Sequence, residues 1–193
     1  VTNQGELRVE HLVIAAGNGS RALLKPLKID LAIYPLKGYS LTLPFPKNEN
    51  IVPKRSVTDY AQKTVYAKLG DKLRIAAMVD IGYQKRGVRT NRIDALKRGV
   101  LQTFPHLKGV DKAEVWAGLR PATPEGPPIL GRTPYKNLWL NVGHGSLGFT
   151  LAAGSAEVIA ELITDQRSSI NLEGLTLYSV SYTHLTLPTT ERV

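Results

Sequence analysis

Glycine at positions 143, 145 and 148, followed by Phe149-Thr150-Leu151-Ala152-Ala153-Gly154-Ser155-Ala156, leaves this stretch few ways to fold. The glycines mark backbone that must turn tightly or pass close to something. The small apolar residues after them read as the opening of a helix, from near Ser146 to about Ile163. That helix is apolar almost all round, apart from Glu157 and Glu161 one turn apart, which predicts burial in a larger body. A glycine turn at a helix start aims free N–H groups and the positive dipole end at a ligand. Many loops are glycine-rich, and the same residues also serve as a plain cap packed tightly.

Around this stretch the pattern is strand-rich, with two long helices. Glu6 to Ala16 reads as a strand ended by Gly17, with the short apolar run Leu12-Val13-Ile14-Ala15-Ala16 at its close. Ser20 is a candidate cap for a short helix through Leu24. Ile33 to Leu43 alternates as a strand, and Pro44 and Pro46 end it. Thr64 to Lys68 and Lys72 to Met78 flank Leu69-Gly70-Asp71 as a hairpin. Ile93, Leu96, Val100 and Phe104 fall at helical spacing, with Leu101 beside them, which predicts a helix over Asn91–Phe104 capped by Asn91 and stopped by Pro105. Ala113 to Leu119 reads as a strand, Pro121 to Pro128 as a proline-rich loop, and Leu138 to Val142 as a short strand.

Arg120 stands out among the charged residues. Alternation puts Trp116, Gly118 and Arg120 on one strand face, and Pro121 holds Arg120 extended. A guanidinium on a rigid strand end suits bidentate capture of a carboxylate, although a surface salt bridge is the commoner fate of an arginine. Composition removes several chemistries. No cysteine is present, so this chain forms no disulfide, iron–sulfur cluster or cysteinyl flavin link, which suits a reducing compartment. No H-E-x-x-H or other metal-ligand spacing occurs. No run of 18 or more apolar residues marks a membrane span. The net charge is +9, with Lys85, Arg86, Arg89, Arg92, Lys97 and Arg98 clustered. Neither an aromatic platform nor a nucleic-acid module accompanies them, so nucleic acid is not expected as a partner. A solvated face is the plain reading, and an anionic membrane surface is left open.

Five separated blocks occur in an order that resembles one family. They are Val13-Ile14-Ala15-Ala16-Gly17, Tyr34-Pro35-Leu36-Lys37-Gly38-Tyr39-Ser40-Leu41-Thr42, Trp116 to Gly126, Asn137 to Asn141, and Gly143 to Ala156. Together they resemble the C-terminal part of the FAD-dependent amine and amino-acid oxidoreductases of the D-amino-acid oxidase superfamily, over roughly residues 8 to 178. The resemblance implies an α/β (α+β) fragment, the C-terminal half of a two-domain flavin fold. Residues 1–33 and 118–178 would belong to the FAD-binding domain, and 34–117 to a substrate domain on a mixed or antiparallel sheet. The G-x-G-x-x-G turn for the FAD pyrophosphate is expected in a preceding half. Gly17-Asn18-Gly19 lacks the third glycine, and the 143–148 spacing lacks the βαβ setting with its acidic residue.

The resemblance also implies roles. Arg120 would bind the substrate carboxylate. Gly143, His144, Gly145, Ser146, Leu147, Gly148 and Thr150 would meet the flavin ring edge, and Ala16 and Gly17 would face the cofactor. Tyr60 and Tyr66 lie where the family places pocket tyrosines, and which of them faces substrate stays open. Lys37 and Gly38 match a block of the substrate domain. The implied activity is FAD-dependent oxidation of D-amino acids such as D-alanine to 2-oxo acids and ammonia, with electrons passed to a respiratory quinone or other acceptor. The implied location is cytoplasmic, at the inner face of the plasma membrane. A glycine- or sarcosine-type amine oxidase is the neighbouring alternative, and a non-catalytic binding module is the alternative of another class.

Residues 180 to 193 depart from the family and from any amphipathic pattern. They resemble the translation of a sequencing adapter joined to a truncated gene, so His184 is not counted as a ligand. Deleting 180–193 is expected to leave the melting temperature unchanged; a clear drop in a thermal melt would show that these residues pack.

Overall fold

A strand buried on one face only must alternate, as the run Lys72–Ala77 does. In the computed structural model, residues 3–46, 51–82, 85 and 87–178 are described. The chain divides into two units, Val1–Tyr34 with Arg120–Val193, and Pro35–Leu119. The expected tail, 180–193, lies outside the described residues.

The first unit carries a three-stranded sheet in the order β1-β8-β7. β1 (Leu12–Ile14) runs parallel to β8 (Leu138–Val142), with Leu12 opposite Leu138 and Ile14 opposite Leu140. β7 (Ile129–Arg132) runs antiparallel to β8. One core joins Leu24, Ile29, Leu31, Ile33, Ile129, Leu138, Leu140 and Val142. Leu24 comes from the short helix α1 (Ser20–Leu24). Alternation along β8 turns Trp139 away from that core, and the guanidinium of Arg132 stacks 4.6 Å from its ring. The long helix α3 (Gly148–Ile163) packs through Val158 and Ile159 onto Leu130.

The second unit carries five strands in the order β3-β4-β5-β2-β6: β3 (Val57–Asp59), β4 (Thr64–Leu69), β5 (Lys72–Asp80), β2 (Tyr34–Pro44) and β6 (Glu114–Ala122). β3, β4, β5 and β2 pair antiparallel. Inward residues Tyr39, Leu41, Leu43, Tyr66, Leu73, Ile75 and Ala77 meet Ile93, Leu96 and Val100 of helix α2 (Thr90–Thr103).

Several expectations change in detail. The first strand spans only Leu12–Ile14, not Glu6 to Ala16, because only that run has a partner, β8. Ser20 is the first helical residue rather than a cap, and its hydroxyl is buried. No side chain caps α2: the helix begins at Thr90, so Asn91 already lies inside it, and Arg89 occupies the preceding position. β7 follows the proline loop and is too short for periodicity to reveal. α3 begins at Gly148, two residues beyond Ser146, and part of its apolar surface is uncovered within this chain. Phe149 is 99% exposed, and Ala152, Ala153, Ala156 and Ala160 are exposed with it.

One irregularity organises the second unit. Tyr39 stands opposite Ala77, yet Lys37 stands opposite Asp80, so β5 carries one extra residue. Met78 absorbs it at φ +67°, the left-handed conformation that costs a side-chain-bearing residue roughly 1–2 kcal/mol. The bulge reverses the alternation: Val79 turns out, 49% exposed, and Asp80 turns in, 4% exposed. There Asp80 accepts from the Tyr39 hydroxyl at 2.7 Å, from Arg89 at 3.2 Å and from Arg92. Burial and the facing carboxylate push the Tyr39 phenol up to about 12. Burial alone would raise Asp80, but its contacts with Arg92, Tyr39 and Arg89 outweigh it and hold the carboxyl below its ordinary value.

A carboxyl whose folded value is depressed adds stability that is full above the unfolded value, near 3.9, and is lost as pH falls through the folded one. Asp80→Asn is therefore expected to lose at least about 1 kcal/mol at neutral pH. Urea melts should show that gap narrowing below about pH 4. A gap independent of pH would remove Asp80 from the stability balance.

Candidate functional site

Three segments of the first unit converge on Pro121. β6 delivers Arg120 and Pro121 at its end. The Gly145 N–H donates to the Pro121 carbonyl at 2.9 Å, and His144 bridges Ala122 in antiparallel register. Gly17, at φ +54° just after β1, is so close that a Cβ on it would lie 4.0 Å from the Pro121 ring. The structure thus brings together Ala16 and Gly17, Arg120, and the loop from Gly143 to Gly148. It assigns Tyr60 and Tyr66 to the other unit.

The loop's path depends on glycine. Gly143 has φ +82°, and a Cβ there would sit 2.6 Å from Cγ2 of Thr123. Thr123 is itself fixed: its hydroxyl donates to the Pro127 carbonyl at 2.7 Å and accepts from the Gly126 N–H at 3.1 Å. Those bonds close the proline loop and press the threonine methyl against Gly143. Sequence reading did not single out Thr123, although Thr-Pro-Glu-Gly carries a hydroxyl-turn signal.

Beyond Gly143, the Leu147 N–H donates to the His144 carbonyl at 3.0 Å and turns the chain into α3. No side chain caps α3, so its first N–H groups and its dipole remain available to a ligand. Nothing within 4 Å would meet a Cβ on Gly145. Ser146, Leu147 and Thr150 are exposed around that opening. Thr150 also borders a groove of about 360 Å³ with Leu151, Gly154 and Val158. An uncapped helix end, open space over a glycine and exposed apolar side chains fit the edge of a flat, partly anionic ring system such as a flavin. The described residues hold no group of His, Asp or Glu able to bind a metal ion.

The charged groups here are partly withdrawn from water. Burial lowers the Arg120 guanidinium from its ordinary value. It does the same to the His144 imidazole, which favours the neutral form. His144 Nε2 lies 2.9 Å from the Ser155 hydroxyl, a buried residue on α3 that the sequence did not single out. That contact ties the loop to the helix it opens.

In the other unit, Tyr60 is 77% exposed in the turn between β3 and β4. Tyr66 is 2% exposed in the core, edge-on to Phe104 at 5.0 Å. Lys37 is 1% exposed, and its amine donates to the Lys85 carbonyl at 2.7 Å. Gly38 lies at the bulge.

Known proteins resemble this chain over most of its length. The family model described as FAD dependent oxidoreductase matches residues 1–162. The chain is 48% identical over 169 residues to D-amino acid dehydrogenase 2 of Pseudomonas aeruginosa, covering 88% of this chain and 40% of that protein. It is 42% identical over 174 residues to D-amino acid dehydrogenase of Paramagnetospirillum magneticum, covering 90% of this chain and 41% of that one. It therefore spans about two fifths of the length of these relatives. Among solved structures, glycine oxidase from Geobacillus kaustophilus superposes with a TM-score of 0.78 at 25% identity, covering 91% of this chain and 47% of that one.

Gly143→Ala is expected to destabilise the fold by about 1–3 kcal/mol through its positive φ and the clash with Thr123. Adding Thr123→Ser, which deletes the clashing methyl, should restore part of that loss. Urea denaturation of both singles and the double reads the coupling; strict additivity would break the link between the two residues.

Proposed function

The chain belongs to the FAD dependent oxidoreductase family, and from that premise we propose that it is the substrate-anchoring and ring-contacting part of a D-amino acid dehydrogenase. The observation that carries the proposal is the bond from Gly145 to Pro121, which sets Arg120 beside the loop that opens α3. When bound, FAD supplies the two-electron acceptor for the substrate's carbon–hydrogen bond.

The chain's own residues do the positioning. Arg120 pairs with the substrate carboxylate through its planar fork, strengthened by partial burial. Backbone N–H groups of Ser146 and Gly148, with Thr150, would face the ring edge and stabilise negative charge developing there, while Gly145 and Leu147, whose N–H groups bind the Pro121 and His144 carbonyls, hold the loop in shape. Gly143 and His144 shape that loop. Ala16 and Gly17 form the neighbouring wall at the end of β1. A neutral His144 adds no fixed positive charge to the site. Two anchors, one on the carboxylate and one on the ring, set the approach of the reacting bond and with it the preference for the D enantiomer. The imino acid product hydrolyses to a 2-oxo acid and ammonia. Of the two tyrosines, Tyr60 has its ring open to a ligand, whereas Tyr66 acts through the core. The substrate reading rests on the two relatives at 42% and 48% identity; glycine oxidase shares the fold.

A respiratory quinone is the proposed acceptor, with the protein attached peripherally at the inner face of the plasma membrane. Charge supports such contact. Residues 35–119 hold sixteen of the 25 Lys and Arg but seven of the 16 Asp and Glu, so this stretch carries the whole net charge of +9. No helix among the described residues is long and apolar enough to cross a membrane.

The test is Arg120→Leu in an enzyme that joins this chain to the remaining length of its relatives. Truncating one partner of a buried charge pair costs about 2–5 kcal/mol, so kcat/KM for D-alanine should fall by roughly 30-fold or more. The loss should shrink for an amine lacking the carboxylate, and flavin content should not change. D-alanine turnover within about threefold of wild type would sink the assignment.

A further inference from the structure

The end of β5 is held in an arrangement that most of its own sequence opposes. Leu73, Ile75 and Ala77 face the core, and regular alternation would next bring Val79 inward, opposite Lys37. That register would bury an aliphatic side chain and leave Met78 extended. Instead Met78 sits at φ +67°, Val79 is exposed, and Asp80 takes the inward place.

What opposes the regular register is polar. Lys37 is buried, and a buried ammonium needs acceptors and a counter-charge. The bulge places Asp80 at the register position opposite Lys37, on the same side of the sheet. The same carboxylate gathers the Tyr39 hydroxyl from β2 and the Arg89 and Arg92 guanidiniums from the start of α2. Lys37 in turn holds the Lys85 carbonyl. Lys85, Arg89 and the first turn of α2 are thereby tied to the sheet.

We propose that the end of β5 is a two-state register element. In the bulged state, Asp80 faces inward and clips Arg89 and the first turn of α2 to the sheet. In the regular state, Val79 takes the inward place, Asp80 turns to solvent, and Arg89 with the first turn of α2 is released. A one-residue slip exchanges the two side chains because the strand period is two. Backbone strain and the burial of Val79 favour release, and the charged cluster favours the clip. Such an opposed balance is what makes a local element bistable. The device belongs wholly to the second unit, so it stands or falls apart from the catalytic reading.

Two measurements on this chain test it together. The chain has no cysteine, so Val79→Cys introduces a single thiol at the position that changes sides. That thiol should react rapidly with a maleimide in the otherwise unchanged protein. With Asp80→Asn added, its reaction should slow by about tenfold or more, the size expected for burying a half-exposed group. Separately, initial trypsin cleavage after Lys85 and Arg89 should rise by about tenfold in Asp80→Asn, with no change after the exposed Lys112 and Lys136. Met78→Gly, which removes the strain of the bulged state, should slow cleavage after Lys85 and Arg89. Equal thiol reactivity with and without Asp80→Asn would overturn the register change, even if cleavage rose. Cleavage that rises equally at Lys112 and Lys136 would assign the effect to global loosening and overturn the clip.

Discussion

The hydrogen bond from the Gly145 N–H to the Pro121 carbonyl is the constraint on which the candidate site depends. Backbone is the least adjustable part of a protein, and this bond joins two backbones directly. On one side stands Arg120, whose side chain direction follows from its place on β6. On the other stands the loop that opens α3. Because the bond is short and Pro121 is stiff, neither partner drifts relative to the other. Gly143 and Thr123 add a steric lock on the same loop, and His144 with Ser155 ties it to the helix. Arg120 on its strand end and the uncapped start of α3 are thus parts of one small, over-determined structure.

The second unit is governed by a different constraint, buried charge. Lys37 faces the core side of β2, and its amine donates to the Lys85 carbonyl. The strand opposite is bulged, so that Asp80 turns inward to the Tyr39 hydroxyl and the Arg89 and Arg92 guanidiniums. Asp80 then fixes the start of α2, a helix with no side-chain cap of its own. Here electrostatics overrides both the hydrophobic alternation of β5 and the backbone preference of Met78. On the inward face of the same sheet, hydrophobic pairing holds: Leu41 stands opposite Ile75 and Leu43 opposite Leu73.

The legibility of the chain divides along these lines. α2 was readable because Ile93, Leu96 and Val100 recur at helical spacing and one face is buried, and the β4–β5 hairpin because Gly70 sits between two alternating runs. The cap at Asn91 was misplaced because the start of α2 is set by Arg89 and Arg92 reaching Asp80, a contact across the fold. β7 was missed because four residues carry too little periodicity. α3 was read as a helix apolar almost all round, and the face bearing Phe149 and Ala152 is open within this chain, because composition cannot say which apolar faces find a partner inside these residues.

For the candidate site, the residue types and their order were in the sequence: an arginine before a proline at a strand end, and glycines before a helix. Local sterics and periodicity act within a few residues, so one dimension is enough to display them. The meeting of Gly17, Pro121 and Gly145, the methyl of Thr123 against Gly143, the contact of His144 with Ser155, and the inward turn of Asp80 were decided only by the tertiary structure. Each depends on segments brought together from distant parts of the chain or on a register shifted by one residue, and no local pattern encodes either.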